Sequence, residues 1–185
     1  VWYTTPRTIR GLMEAGEDLP KRYDLSHLRH IATVGAPLVP DLFYWVRRNL
    51  GRSAHDTWWM TETGMICIAN FPSMDIKPGA MGKPVPGVKT AVLDEAGHPL
   101  PPLSLGELAV KTVWPCMMID MWEDRIRYQD YFRVNGWMLT GDMAIEDEEG
   151  YIYPQGRNDD LIKSGGNQVI GPYEIENVLA GHPAV

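Results

Sequence analysis

Cysteine is scarce in this chain, and positive charge is in short supply. Only two cysteines, Cys67 and Cys116, occur among the 185 residues, with neither metal-ligand spacing nor a disulfide framework around them. We therefore expect a reduced protein of the cytoplasm. The 17 lysines and arginines are outnumbered by 24 aspartates and glutamates, which leaves a net charge of −7. That balance argues against a general binder of nucleic acid or of membrane surfaces, because both need clustered positive charge.

Long apolar runs, low-complexity tracts and internal repeats are also absent. The apolar runs are far shorter than a bilayer span, so no transmembrane helix is expected. No signal peptide is visible, and the chain opens on apolar residues typical of the interior of a strand. The apolar share of 44% is ample for a core, so we expect one domain or pieces of two.

The first part of the chain alternates between strands and helices, which is the signature of an α/β sheet with helical crossovers. Ligands of such sheets bind outside the carboxyl ends of the strands. Gly35-Ala36-Pro37 and Met60–Gly64 each follow a predicted strand, so both fall where a site is expected. The predicted elements are a strand at 1–3, a helix from Pro6 to about Gly16, a strand at 28–34, a helix from Pro40 to Gly51 and a strand at 54–58.

From Pro72 onward, proline and glycine punctuate short strands, which predicts a small and mainly antiparallel β subdomain. A final helix is announced by Pro172, which suits the first helical position. The predicted strands span 89–94, 106–112, 137–143 and 151–155, with turns at 95–98 and 146–150.

The most informative stretch is Asp56-Thr57-Trp58-Trp59-Met60-Thr61-Glu62-Thr63-Gly64. Two adjacent indoles in an extended segment point to opposite faces, so at most one can line a cavity. Thr61 and Glu62 place a hydroxyl beside a carboxylate, a pairing suited to a phosphate oxygen and its magnesium ion. The alternative is a buried aromatic strand followed by a polar turn.

This run resembles the adenine-and-magnesium motif of the adenylate-forming enzymes, in the version carried by the acetyl-CoA synthetases. The resemblance extends over essentially the whole chain, because further segments occur in the order seen in that family. They are 2–6, 23–30, 34–38, 75–79, 81–84, 136–142, 148–151 and 156–160.

The resemblance implies ATP-dependent activation of acetate, or of another short carboxylate, to an acyl-adenylate, followed by thioester formation with coenzyme A. It implies ATP or AMP and Mg²⁺ as cofactors, coenzyme A as co-substrate, and only small molecules as partners. Two alternatives stay open: a medium-chain or aryl acyl-CoA ligase of the same superfamily, and a non-catalytic nucleotide-binding remnant. A plain interaction module is disfavoured by the ordered run of motifs.

The resemblance also assigns roles to individual residues. The backbone of Gly35, Ala36 and Pro37 flanks the adenine, and Glu62 holds magnesium while Thr61 contacts a phosphate. The remaining nucleotide-binding positions are Asp56, Thr57, Trp58, Trp59, Met60, Asp142 (on the ribose), Arg157 and Gln168 (on a phosphate). Val34 and Trp59 line the acyl pocket, which the tryptophan shortens.

Each of these assignments has a simpler structural alternative. Gly35–Pro37 suits an ordinary strand-ending turn, and Asp142 suits a carboxylate capping a turn. Arg157 suits a solvated charge, or an ion pair of little value with the neighbouring Asp159 and Asp160. A tryptophan such as Trp59 is most often part of a core.

In domain terms, the resemblance implies the end of a large α/β domain at 1–71, the β subdomain at 72–158 and the start of a mobile α+β domain at 159–185, with a hinge at Asp159. The family's phosphate loop and catalytic lysine are not found, so we expect an interior part of a longer synthetase.

Two positions depart from the family pattern: Ala36 stands where a glutamate is usual, and Gln168 where an arginine is usual. One extra residue also precedes Pro172, and the sequence before it resembles other branches of the superfamily.

Overall fold

The computed structural model describes residues 1–112, 115–160, 162–163, 169–170, 172–180 and 182. They belong to two compact units, Val1–Val85 and Pro86–Val185. Within these ranges we find no helix with the length and apolarity that a membrane crossing requires.

The first unit is built on three parallel strands joined by two helices. Its elements are β1 (Trp2–Thr4), α1 (Pro6–Glu14), β2 (Ile31–Thr33), α2 (Pro40–Leu50) and β3 (Ala54–Trp58). Strand β2 lies between β1 and β3, and the last residues in register are Thr4, Thr33 and Asp56. The predicted α/β sheet with helical crossovers is thereby confirmed, although β2 is shorter than expected.

Local signals explain both helices. The Thr5 hydroxyl accepts a hydrogen bond from the Thr8 N–H at 3.2 Å, and Pro6 occupies the first turn of α1, where a missing N–H costs nothing. Helix α2 likewise starts at a proline and ends where Gly51 adopts the left-handed conformation with φ 64°.

The helices cover one face of this sheet. Trp2, Ile31 and Ala54 are in register, and all three pack in the same apolar cluster. Side chains alternate along a strand, so the next row of residues, Tyr3, Ala32 and His55, faces the other side. The buried members of the cluster are Ile9, Ile31, Leu38, Leu42, Phe43, Trp45, Val46 and Ala54.

Two further strands extend the sheet in a way that the sequence did not predict. Strands β4 (Ile68–Ala69) and β5 (Lys83–Pro84) have two residues each, and β4 runs antiparallel to β3. Strand β5 pairs with β4, so residues beyond the predicted boundary at 71/72 complete the sheet of the first unit. Strands this short carry no period for a sequence pattern to detect.

The second unit contains the predicted antiparallel sheet. Its strands β6 (Thr90–Leu93), β7 (Leu105–Lys111), β8 (Trp137–Glu146) and β9 (Ile152–Arg157) pair in that order. The acidic turn between β8 and β9 is confirmed, because the Asp147 carboxylate accepts hydrogen bonds from the N–H groups of Glu149 and Tyr151 at 2.9 Å each. The antiparallel β subdomain is therefore present as expected.

A helix in this unit was missed. Helix α3 (Arg125–Tyr131) follows Asp124, whose carboxylate accepts a hydrogen bond from the Arg127 N–H at 3.1 Å. None of its residues is buried, so it has no apolar stripe that a pattern could reveal.

The end of the chain contains β10 (Ile162–Lys163), β11 (Val169–Ile170) and α4 (Pro172–Ala180). Strands β10 and β11 pair antiparallel, and α4 begins at the proline that predicted it. The domain boundaries at 71/72 and 158/159 stay predictions.

Candidate active site

Two loops of the first unit meet at one edge of its sheet. Because β1, β2 and β3 are parallel and in register, their carboxyl ends lie side by side. The loop after β2 contains Val34 to Pro37, and the loop after β3 contains Trp59 to Gly64. The structure thus brings together both loops that the sequence singled out.

The loop after β2 presents its backbone outward. Val34 is half-buried, and its N–H donates to the Thr4 carbonyl at 3.1 Å, which ties the start of the loop to β1. Gly35 and Ala36 are exposed and Pro37 is half-buried. Gly35 has φ 88°, a conformation that a residue with a Cβ rarely adopts, so a glycine is needed to turn the chain here.

Asp56 fastens this loop to β3. Its side chain is in the interior, with the residue only 4% exposed, and Oδ1 accepts from the Thr33 hydroxyl at 2.7 Å and from the Thr57 N–H at 3.1 Å. The other oxygen, Oδ2, accepts from the N–H of Leu38 at 3.3 Å. The carboxylate is therefore engaged by protein groups, and it ties β3 to β2 and to the residue that follows the β2 loop.

Burial raises the pKa of Asp56 to about 6, although hydrogen bonds from Thr33, Leu38 and Thr57 oppose the shift. In the unfolded chain the carboxyl has its ordinary pKa of 3.8. Between these two values the folded chain keeps a proton that the unfolded chain has lost. Asp56 therefore makes folding less favourable as the pH rises through this window, by about 3 kcal/mol in total.

We expect the Asp56→Asn variant to lose that contribution, because an amide does not ionise. Its free energy of unfolding relative to the parent should rise by about 2–3 kcal/mol between about pH 4 and pH 7, in urea titrations at several pH values. At acidic pH the variant should be less stable than the parent, since its amide nitrogen cannot accept a hydrogen bond from the Leu38 N–H. Glu14→Gln, at an exposed glutamate, is the control. If the free energies of unfolding of variant and parent changed in parallel with pH, the raised pKa of Asp56 would be contradicted.

The two neighbouring indoles have different environments. Trp58 is half-buried at the end of β3, whereas Trp59 lies just beyond the strand and is 37% exposed. The Trp59 indole N–H donates to the Tyr3 hydroxyl at 3.0 Å, and that hydroxyl lies 2.9 Å from Thr57 Oγ1. Thr57 is buried, and its hydroxyl donates to the Thr33 carbonyl at 2.7 Å. Trp59 is therefore held at the edge of the sheet, outside the buried core.

A short 3₁₀ turn, Thr61–Thr63, presents the predicted phosphate and magnesium residues. Thr61 is exposed and Glu62 is half-buried. Thr63 is fully buried, its Oγ1 accepts from the Met60 N–H at 3.1 Å, and its hydroxyl reaches the Met60 carbonyl at 2.8 Å. Sequence reasoning missed Thr63, although a threonine three residues after Met60 suits this kind of cap.

The remaining residues that are predicted to contact the nucleotide lie in the second unit. Asp142 and Arg157 are paired positions of β8 and β9, and Arg157 Nη1 donates to Asp142 Oδ1 at 3.0 Å. The same Nη1 donates to the Thr140 carbonyl at 3.1 Å, and Nε donates to Asp159 at 3.3 Å. Arg157 is therefore neither a lone solvated charge nor paired with its sequence neighbours alone.

Gly141 allows this arrangement. It has φ 74°, and a Cβ added there would lie 2.7 Å from Nη2 of Arg157. Its N–H donates to Glu107 Oε1 at 3.1 Å, and Glu107 Oε2 in turn pairs with Arg133 at 2.9 Å. Sequence reasoning missed Glu107 and Arg133, because their link to Gly141 forms only through the pairing of β7 with β8.

Other predicted residues are placed as follows. Asp159, the predicted hinge, has an exposed side chain in the middle of a 3₁₀ turn that spans Asn158–Asp160. Gln168 lies outside the described residues. Within the described ranges, no three His, Cys, Asp or Glu side chains gather as a protein-only metal cage would require.

One cleft of the first unit lies apart from the predicted site. It has a volume of about 400 Å³ and includes Arg29, Arg47, Arg52 and His55. Arg29 precedes β2 and Arg52 precedes β3, so this cleft lies toward the amino ends of the strands. The two site loops lie at the opposite, carboxyl ends, where α/β sheets bind their ligands.

Comparisons with known proteins agree with the motif reading. A family model for AMP-binding enzymes matches residues 1–119. An acetyl-coenzyme A synthetase of Bacillus subtilis is 49% identical over all 185 residues, which cover 32% of that protein. One of Pyrobaculum aerophilum is 44% identical over 100% of this chain and 29% of its own length.

A solved structure of an anthranilate CoA ligase in complex with anthranoyl-AMP superposes with a TM-score of 0.87 at 31% identity, covering 99% of this chain and 34% of that one. The chain thus spans about a third of the length of these relatives. The family model covers more than half of the chain, including both loops at the edge of the parallel strands. The chain therefore belongs to the AMP-binding enzyme family.

Proposed function

We propose that this chain is part of an acetate–CoA ligase of the AMP-forming type. The observation that carries the proposal is the placement of the two loops at one edge of the parallel strands, with an exposed Trp59 at the start of the second loop. The identity of 49% with a protein named acetyl-coenzyme A synthetase, over every residue of this chain, supports the choice of acid. The reaction would take place in the cytoplasm, as the scarcity of cysteine predicts.

The reaction has two steps. A carboxylate oxygen of acetate attacks the α-phosphorus of ATP, and pyrophosphate leaves as the acyl-adenylate forms. The sulfur of coenzyme A then attacks the acyl carbon, the thiol proton passes to solvent, and AMP leaves as the thioester forms. Neither step requires a covalent bond to the protein, so the residues act by positioning the reactants and by stabilising charge.

The nucleotide roles follow the placement of the residues. The exposed backbone of Gly35–Pro37 would flank the adenine, with Trp58 supplying an aromatic surface nearby. Asp142 would accept hydrogen bonds from the ribose hydroxyls, and Arg157 would orient that carboxylate and reach the sugar. Gln168 would stand at the phosphates in place of the usual arginine.

The residues present fit a magnesium ion that arrives with ATP. Mg²⁺ typically takes one or two carboxylates and completes its shell with phosphate oxygens and water. Glu62, on the turn after β3, would supply that carboxylate, and the Thr61 hydroxyl would bind a phosphate oxygen beside it. The ion would neutralise charge on the phosphates. A single carboxylate is consistent with the lack of an acidic cluster in the described part of the chain.

A hinge at Asp159 would let one site serve both steps, because adenylation and thioester formation need different groups presented to the reactants. Asp159 suits that role because its side chain is exposed and its hydrogen bond from Arg157 Nε, at 3.3 Å, is a long one. The large domain, β subdomain and small domain would meet at 71/72 and 158/159.

A second candidate is an aryl acyl-CoA ligase of the same superfamily. The similarity to the anthranilate CoA ligase structure, with a TM-score of 0.87, favours it. Trp59 argues for the smaller acid, because an indole at the acyl end of a pocket leaves little room for a ring.

The test is ATP–pyrophosphate exchange by the intact polypeptide that carries this chain, with acetate, propionate, butyrate, benzoate and anthranilate. We expect exchange with acetate to be fastest. The isolated 185-residue chain should show none and should bind ATP weakly, because most phosphate contacts would be missing from it. Exchange with the aryl acids but not with acetate would establish the second candidate. Exchange by the isolated chain would contradict its being one part of a larger catalyst.

A further inference from the structure

We propose that Tyr3 is a positioning residue that sets acyl-chain specificity by holding the indole of Trp59. The inference rests on the proposed function, because it assumes that Trp59 closes the acyl pocket. It adds a residue from a different strand, 56 positions away in sequence, that would act through the indole rather than on the substrate.

The protons of this network have one consistent direction. An indole N–H is a donor only, so at 3.0 Å the Tyr3 oxygen must accept from Trp59. Thr57 already donates its only hydroxyl proton to the Thr33 carbonyl at 2.7 Å. The phenol must therefore donate its own proton to Thr57 Oγ1, at 2.9 Å. The result is a directed chain of three hydrogen bonds that runs from Trp59 to the backbone of β2.

The Thr57–Thr33 end of this hydrogen-bond network is buried, whereas in the described part of the protein we find no second hydrogen bond to the Trp59 side chain. Thr57 and Thr33 are buried in neighbouring strands, with exposures of 9% and 0%. Trp59 is 37% exposed and follows the last residue of β3. The phenol of Tyr3 thus anchors the exposed indole of Trp59 to residues that are buried in the sheet.

Loss of the Tyr3 hydroxyl should affect specificity more than stability. Tyr3 is 46% exposed, and the Thr57–Thr33 hydrogen bond survives without it. The indole, in contrast, would lose the one acceptor that we find for it among the described residues and gain freedom to rotate, so longer acids would displace it more easily.

The experiment compares Tyr3→Phe with Tyr44→Phe in the intact synthetase. Tyr44 is a matched control because it is 45% exposed and lies on α2. We expect Tyr3→Phe to raise the ratio of kcat/KM for butyrate to that for acetate by roughly three- to tenfold, with an unchanged ratio in Tyr44→Phe. An unchanged ratio in Tyr3→Phe would overturn the proposal.

A double-mutant cycle separates positioning from a general structural effect. Trp59→Phe keeps an aromatic ring but removes the N–H that Tyr3 accepts. In that background Tyr3→Phe should leave the butyrate-to-acetate ratio unchanged, because the interaction is already gone. Fully additive effects of the two substitutions would show that Tyr3 does not act through Trp59, and the proposal would fail.

A spectroscopic readout keeps this inference distinct from the proposed function. In the ¹⁹F NMR spectrum of fluorotryptophan-labelled protein, the Trp59 resonance is the one that disappears in Trp59→Phe. Its chemical shift should change in Tyr3→Phe and stay the same in Tyr44→Phe. A resonance that does not move would overturn the hydrogen bond, whatever the enzyme activates. If the resonance moves but the protein activates no short acid, the proposed function fails and the specificity role falls with it.

Discussion

Replacement of Trp59 by glycine should change the preferred acid from acetate to longer carboxylates. The indole is 37% exposed at the edge of the parallel strands, so its removal opens space without emptying a buried core. Each methylene that enters an apolar pocket contributes about 0.8 kcal/mol, and a poorly filled pocket penalises acetate as well. We expect the ratio of kcat/KM for pentanoate to that for acetate to rise by about 100-fold or more.

The measurement is a series of steady-state rates with straight-chain acids from acetate to hexanoate, in the intact enzyme. Trp122→Gly is a suitable control, because Trp122 is 89% exposed in the second unit. An unchanged acid profile in Trp59→Gly would place this indole outside the acyl pocket, and Tyr3 would lose its proposed role with it.

Glu62→Gln should abolish most of the adenylation activity. Glutamine preserves the size of the side chain but removes the charge that would hold magnesium on the phosphates. Since the ion stabilises negative charge that develops in the transition state, we expect the rate of ATP–pyrophosphate exchange to fall by about 100-fold or more. The magnesium concentration needed for half of the remaining rate should rise.

Glu17→Gln, at an exposed glutamate in the first unit, controls for the general effect of removing one negative charge. The buried Thr63 and its contacts with Met60 are unchanged in Glu62→Gln, and urea titration of the variant separates a loss of stability from a loss of activity. Full exchange activity with an unaltered magnesium dependence would remove Glu62 from the site.

Much of the first unit follows from local signals in the sequence. Thr5 with Pro6 predicts the start of α1, and Gly51 predicts the end of α2, because caps depend only on residues within one turn. Strand β3 has the predicted bounds. The alternation of these elements also placed both site loops at the same edge, since parallel strands end together.

Other elements have no local signal. Strands β4 and β5 are two residues long each, and they form by pairing: β4 on the edge of β3, and β5 on β4. Helix α3 buries none of its residues, so its sequence shows no apolar period.

Within the site, the sequence alone determined which residue types stand on the loops: the glycine turn at Gly35, the hydroxyl and carboxylate of Thr61 and Glu62, and the family to which the run belongs. Only the tertiary structure decided three contacts. The buried Asp56 accepts a hydrogen bond from the Leu38 N–H, Arg157 pairs with Asp142 on the neighbouring strand, and Tyr3 accepts from the Trp59 indole. Each of these contacts joins residues 15 or more positions apart in the chain. Their formation depends on strand order and register, which no short stretch of sequence encodes.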